Sequence, residues 1–78
     1  MEIDIQKADK AIGQYLRASR DTKEFTVRQV GEMVGISYSE VSRLENAIHG
    51  NIRIELLLKF AHALDIDLGE MFRQLNLI

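Results

Sequence analysis

Apolar residues recur at three- and four-residue spacing along this chain, the signature of helices that bury one face. Residues 7–20 carry Ala8, Ala11, Ile12, Tyr15 and Leu16 in one such stripe, and the polar run Asp21-Thr22-Lys23-Glu24 ends it. Thr26-Val27-Arg28-Gln29 then has the form of a capping box: the threonine oxygen accepts from the third helical amide and the glutamine reaches back to the cap. The short helix it opens places Val27, Val30, Met33 and Val34 on one side and stops at Gly35, where glycine suits a left-handed closing residue. Ser37-Tyr38-Ser39-Glu40 repeats the box, and its helix directs Val41, Leu44 and Ile48 inward. Gly50 and Asn51 interrupt it, with Asn51 the expected cap of a fourth helix whose apolar face is Ile54, Leu57, Leu58, Ala61 and Leu64. Asp67 to Glu70 forms a third box, opening a last helix over about 68–75 with Leu68, Met71, Phe72 and Leu75.

Five helices within 78 residues leave no room for a sheet, so the pattern predicts an all-α fold. The length predicts one domain over residues 1–78. A hydrophobic share of 46% suits a globular chain rather than a disordered one. A core this small benefits from external support. The absence of cysteine excludes disulfides and thiolate metal sites, and His49 and His62 lack the repeated ligand spacing of a zinc site. No cofactor, metal or small-molecule ligand is expected, which leaves a partner subunit. The first residues mix acidic and apolar types rather than forming a basic-then-apolar signal. The longest aliphatic cluster is Leu56-Leu57-Leu58, far short of a membrane span. The expectation is a soluble, cytoplasmic protein.

The two short capped helices around Gly35 have the build of a helix-turn-helix over about 26–46, the unit that docks in a major groove. Gly35 supplies the unusual backbone angle of the turn, and Gly31 is small where the second helix crosses closely. The second helix keeps Val41 and Leu44 inside while Ser37, Tyr38, Ser39, Ser42 and Arg43 are polar and face out.

From about Leu16 to Phe72 the sequence resembles the phage-repressor-like helix-turn-helix regulators of the Cro and XRE type. The resemblance rests on Arg17 and Arg20, the runs Thr26 to Gly35 and Ile36 to Asn46, and Leu57 to Leu64, all in register. It implies a five-helix, lambda-repressor-like domain and a sequence-specific DNA-binding transcription regulator. It further implies that Arg20 and Glu45 form a partly buried ion pair, that the helix beginning at Ser37 is the recognition helix, and that Asn46 meets a phosphate. The chain departs from the pattern at Val27, where the family commonly has a phosphate-binding glutamine. Gly31 replaces the usual alanine, Ala47 the usual glycine after the recognition helix, and the loop before the fourth helix has no proline. A short stand-alone domain of this kind is similar to restriction–modification controller proteins and small phage or plasmid repressors.

The DNA-binding residues expected are Arg28, Ser37, Tyr38, Ser39, Ser42, Arg43, Asn46 and Arg53. Tyr38 can press on a thymine methyl or reach a base edge; the plainer alternative is a surface tyrosine lying against the domain. Ser37 serves first as a cap. Arg43 reaches a guanine edge or phosphate unless it pairs with Glu40 three residues before it. Arg28, standing in for the missing glutamine, and Arg53 flank the helix toward phosphates, while Lys7, Lys10 and Lys23 are solvated charges. The formal net charge of −2 is unusual for a DNA binder, and residues 26–46 hold two arginines against Glu32, Glu40 and Glu45. Pairing of Glu45 with Arg20 and use of Glu40 in capping would ease that balance. So few phosphate contacts favour a homodimer, which doubles them. Leu68, Met71, Phe72, Leu75, Leu77 and Ile78 are the candidate dimer contact, with sealing of the chain's own core as the alternative. Such a dimer suits a palindromic operator. The rival function is an antitoxin-like protein–protein module. Nothing assembles a nucleophile, a base or a phosphate-cradling loop, so no enzyme is expected.

Overall fold

The computed structural model describes residues 4–48 and 52–78. It runs through five helices: α1 (Ile5–Thr22), α2 (Val27–Val34), α3 (Tyr38–Glu45), α4 (Ile54–Leu64) and α5 (Leu68–Gln74), with no strand among the described residues. The all-α expectation holds. α1 starts two residues before the expected 7–20 stretch because Asp4 caps it, accepting from the Lys7 amide at 3.1 Å. The box at Thr26 and Gln29 is complete: Thr26 Oγ1 accepts from the Gln29 amide at 3.0 Å, and the Thr26 amide donates to Gln29 Oε1 at 2.8 Å. α4 differs from expectation. Its cap residue is Arg53, which makes no side-chain capping bond, while Asn51, Gly50 and His49 lie outside the described residues.

All five helices close in one way, although glycine closes only one of them. Glu24, Gly35, Ala47, Asp65 and Asn76 each take a left-handed conformation. Each is followed by an apolar residue, namely Phe25, Ile36, Ile48, Ile66 and Leu77. After α3 the Ile48 amide donates to Arg43 O at 3.0 Å and the Ala47 amide to Leu44 O at 3.3 Å, the paired bonds of a Schellman ending.

The core is Leu16, Val30, Val34, Val41, Leu57, Phe60, Leu64 and Met71. Phe60 was not on the expected α4 face but is fully buried, with Leu57 and Leu64 one turn to either side. Ile54 and Leu58, expected inward, are exposed. The first turns of α4 are apolar almost all round (Ile54, Leu56, Leu57, Leu58), so periodicity alone could not fix which side faces in. Met33 is exposed because α2 packs through Val27, Val30, Gly31 and Val34. Ile48 is exposed too, since it lies beyond the left-handed Ala47 and has left the α3 face.

The C-terminal residues expected at a dimer contact divide. Met71 is wholly inside the chain's own core, and Leu68, Phe72 and Leu75 pack against it. Leu77 is half-buried, and Ile78 is 78% exposed.

Candidate nucleic-acid interface

α2 and α3 are set against each other by two small residues. Gly35, at φ 82°, turns the chain, and its amide donates to Gly31 O at 2.8 Å. A side chain on Gly31 would place its Cβ 2.7 Å from Ile36 O, so only glycine lets the turn approach this closely. Both glycines therefore fix how α3 leaves α2.

α3 is also held from behind, by α1. Glu45 is 6% exposed, and Arg20 forks onto it: Nε donates to Oε2 at 2.6 Å and Nη2 to Oε1 at 3.0 Å. Arg20 Nη1 donates to Phe25 O at 2.8 Å, so one guanidinium ties α1, the α1–α2 loop and the end of α3. Asp21 adds a contact at 3.3 Å. The hydrogen bond to Glu45 raises the Arg20 pKa above its ordinary value against the opposing effect of burial, so the group stays charged. Two turns before Arg20, Gly13 is buried, and a Cβ there would lie 2.5 Å from Leu44 O and 2.6 Å from Glu45 O. The close crossing of α1 over the end of α3 was not foreseen in the sequence. A glycine inside an otherwise continuous helical run was the available signal.

With Val41 and Glu45 facing in, Ser39 and Arg43 lie on the opposite, exposed face of α3, four residues apart. Tyr38, the first residue of the helix, is 50% exposed. Ser37 Oγ is occupied in capping, accepting from the Glu40 amide at 3.2 Å. Ser42 is half-buried. Asn46 donates through Nδ2 to Ser42 O at 2.8 Å, which fastens its side chain to its own helix end. Arg53 is exposed at the start of α4.

The expectation that capping consumes Glu40 is corrected. Thr26 and Gln29 make the reciprocal box, whereas the Ser37 amide donates no return bond to the Glu40 carboxylate, and the same half-box occurs at Asp67. Glu40 forms no ion pair with Arg43. With Glu45 paired, residues 26–46 present two arginines, Arg28 and Arg43, against two carboxylates, Glu32 and Glu40. Among the described residues no cluster of three or more His, Asp or Glu side chains could hold a metal ion. Among the described residues no helix is long and apolar enough to cross a membrane.

The sequence profile of the helix-turn-helix family matches residues 16–71, a stretch from buried Leu16 in α1 to buried Met71 in α5. The chain belongs to the Cro and XRE type of helix-turn-helix family. Among helix-turn-helix relatives, the HTH-type transcriptional regulator SlrR of Bacillus subtilis (strain 168) is 31% identical over 61 residues, covering 78% of this chain and 40% of that protein. The chain thus spans two-fifths of the length of this curated relative. Two crystal structures of the clp gene regulator ClgR from Corynebacterium glutamicum share the helix-turn-helix fold. One has a TM-score of 0.79 at 27% identity and covers 96% of this chain and 92% of the other. The second has a TM-score of 0.80 at 26% identity, with 97% and 77% covered. These helix-turn-helix relatives are gene regulators by name, not enzymes.

Proposed function

We propose that this chain is a cytoplasmic, sequence-specific DNA-binding transcription regulator whose reading element is α3. The observation that carries the reading is the two-sidedness of that helix. Its inner face is sealed by Val41 and pinned by Glu45, while Ser39 and Arg43 project from the other side and Tyr38 is exposed at its first turn. That is what insertion into a major groove demands, since a rigid helix must present side chains to base edges. Arg28, Asn46 and Arg53 flank this face as phosphate contacts, and amides at the start of α3 add to them.

The regulator acts as a homodimer on a palindromic operator and serves as a repressor or autoregulator. With two arginines matched by two carboxylates near α3, a single subunit offers few net phosphate contacts, and pairing doubles them. Ile78, with the outer edges of Phe72, Leu75 and Leu77, forms the proposed contact, supported from inside by Leu68 and Met71. Two recognition helices would then sit about 34 Å apart, one DNA turn. A monomer in sedimentation at high protein concentration overturns this part.

The test is selection from a random-sequence duplex pool, followed by gel-shift titration of the recovered duplex at two salt concentrations. Selective, salt-sensitive binding weakened by Tyr38→Ala and by Arg43→Ala supports the reading. The exposed carboxylates of Glu32 and Glu40 favour a second reading, a protein–protein module of the antitoxin kind. Recovery of no preferred duplex even at low salt would bring it forward.

A further inference from the structure

The exposed side chains at the starts of α2 and α3 meet one another. Val27, the first residue of α2, is half-buried and packs against the core, so it offers nothing to a ligand. Arg28 comes next and is exposed, and its guanidinium carbon lies 4.9 Å from the centroid of the Tyr38 ring. This is within the about 6 Å reach of a cation–π contact. Glu32, four residues further along α2, occupies the ordinary position for an ion-pair partner. No ion pair joins the two, and among the described residues no carboxylate lies within salt-bridge distance of Arg28. The arginine rests on an aromatic ring with its charge uncompensated.

We propose that Arg28 and Tyr38 work as one preorganised reading unit, in which the ring positions the guanidinium on a phosphate flanking the base pair that the ring itself touches. The inference rests on the DNA-binding reading above and deepens it. A guanidinium lying against a ring keeps in-plane N–H donors available, and these match the oxygens of a phosphate. Fixing a free arginine on a phosphate costs rotamer entropy, and the ring removes part of that cost before DNA arrives. Tyr38 meanwhile has one ring face covered by Arg28. Its remaining face and edge are left for an apolar base-edge group, of which the thymine methyl is the one in the major groove. Tyr38 therefore acts both as a base contact and as a positioning residue for Arg28.

The test is a double-mutant cycle on the duplex recovered by selection, with affinities measured across a salt series for Arg28→Ala, Tyr38→Ala, Tyr38→Phe and the double alanine variant. Thermal melts on the same samples compare their folded states. Arg28→Ala is expected to reduce the slope of log affinity against log salt by about 1. Tyr38→Ala removes no charge, yet it is expected to reduce that slope as well, while Tyr38→Phe preserves it. The double variant should lose about threefold less affinity than the product of the single losses, the size of an exposed cation–π contact at tenfold per 1.4 kcal/mol. An unchanged slope for Tyr38→Ala together with multiplicative losses overturns the coupled unit and leaves the DNA reading standing. Absence of any selective binding by the unaltered protein overturns both.

Discussion

Arg20 and Glu45 show how one side-chain pair sets the position of a whole helix. Glu45 is buried at the end of α3, and the guanidinium satisfies both of its oxygens. Removing one partner of such a pair leaves the other charge stranded, which costs about 3–5 kcal/mol. Arg20→Met should therefore destabilise the protein by about that amount in urea melts. Arg20→Met combined with Glu45→Leu should recover most of the loss, because no buried charge remains. Ala47 makes the opposite case. It holds φ 52°, a left-handed conformation that costs a residue with a Cβ about 1–2 kcal/mol, whereas the added freedom of an unfolded glycine costs only about 0.4–1 kcal/mol. Ala47→Gly should therefore raise stability by about 0.5–1 kcal/mol, and a lower denaturation midpoint would contradict the strain assigned there. Arg20, Glu45 and Ala47 stood out in the sequence only through the family resemblance. Neither charge spacing nor periodicity marks a contact across 25 positions or a backbone angle.

Among the helices, legibility followed the strength of local signals. Thr26 and Gln29 made their box as read, because the cap depends on residues three apart. The phase of α4 was not legible, since apolar residues surround its first turns and only the tertiary fold selects Phe60 over Ile54 and Leu58. The crossing of α1 over α3 needed the structure too. Gly13→Ala would push a methyl group against the Leu44 and Glu45 carbonyls, and these are backbone atoms that cannot rotate away. The expected result is a loss of about 1–3 kcal/mol, despite the better helix propensity of alanine. On α5, hydrogen bonds from Arg73 and then Gln74 lower the pKa of Glu70 below its ordinary value. A lowered carboxylate adds stability that is present above its ordinary range and disappears as pH falls through the lowered value. The melting difference between the protein and Glu70→Gln should accordingly shrink on acidification through that range. A difference constant with pH would contradict it.

At the scale of the molecule, the sequence predicted the all-α order of five helices and the outward side of α3. It did not predict that Arg28 would meet Tyr38, because an arginine at that spacing from Glu32 could as readily have paired along its own helix. The fold turns α1 into a brace: Gly13 and Arg20 grip the end of α3 while Gly31 and Gly35 set its beginning. The consequence is an α3 held at both ends, with its free face turned outward. We propose that this face reads sequence. The most direct test is a base-by-base affinity profile on the selected duplex, comparing the protein with Arg43→Ala. Arg43→Ala is expected to lose about 1–3 kcal/mol and to abolish preference at one base-pair position while retaining preference at the others. A uniform loss across all positions, with the profile unchanged in shape, would contradict base reading by Arg43 and reduce it to a phosphate contact.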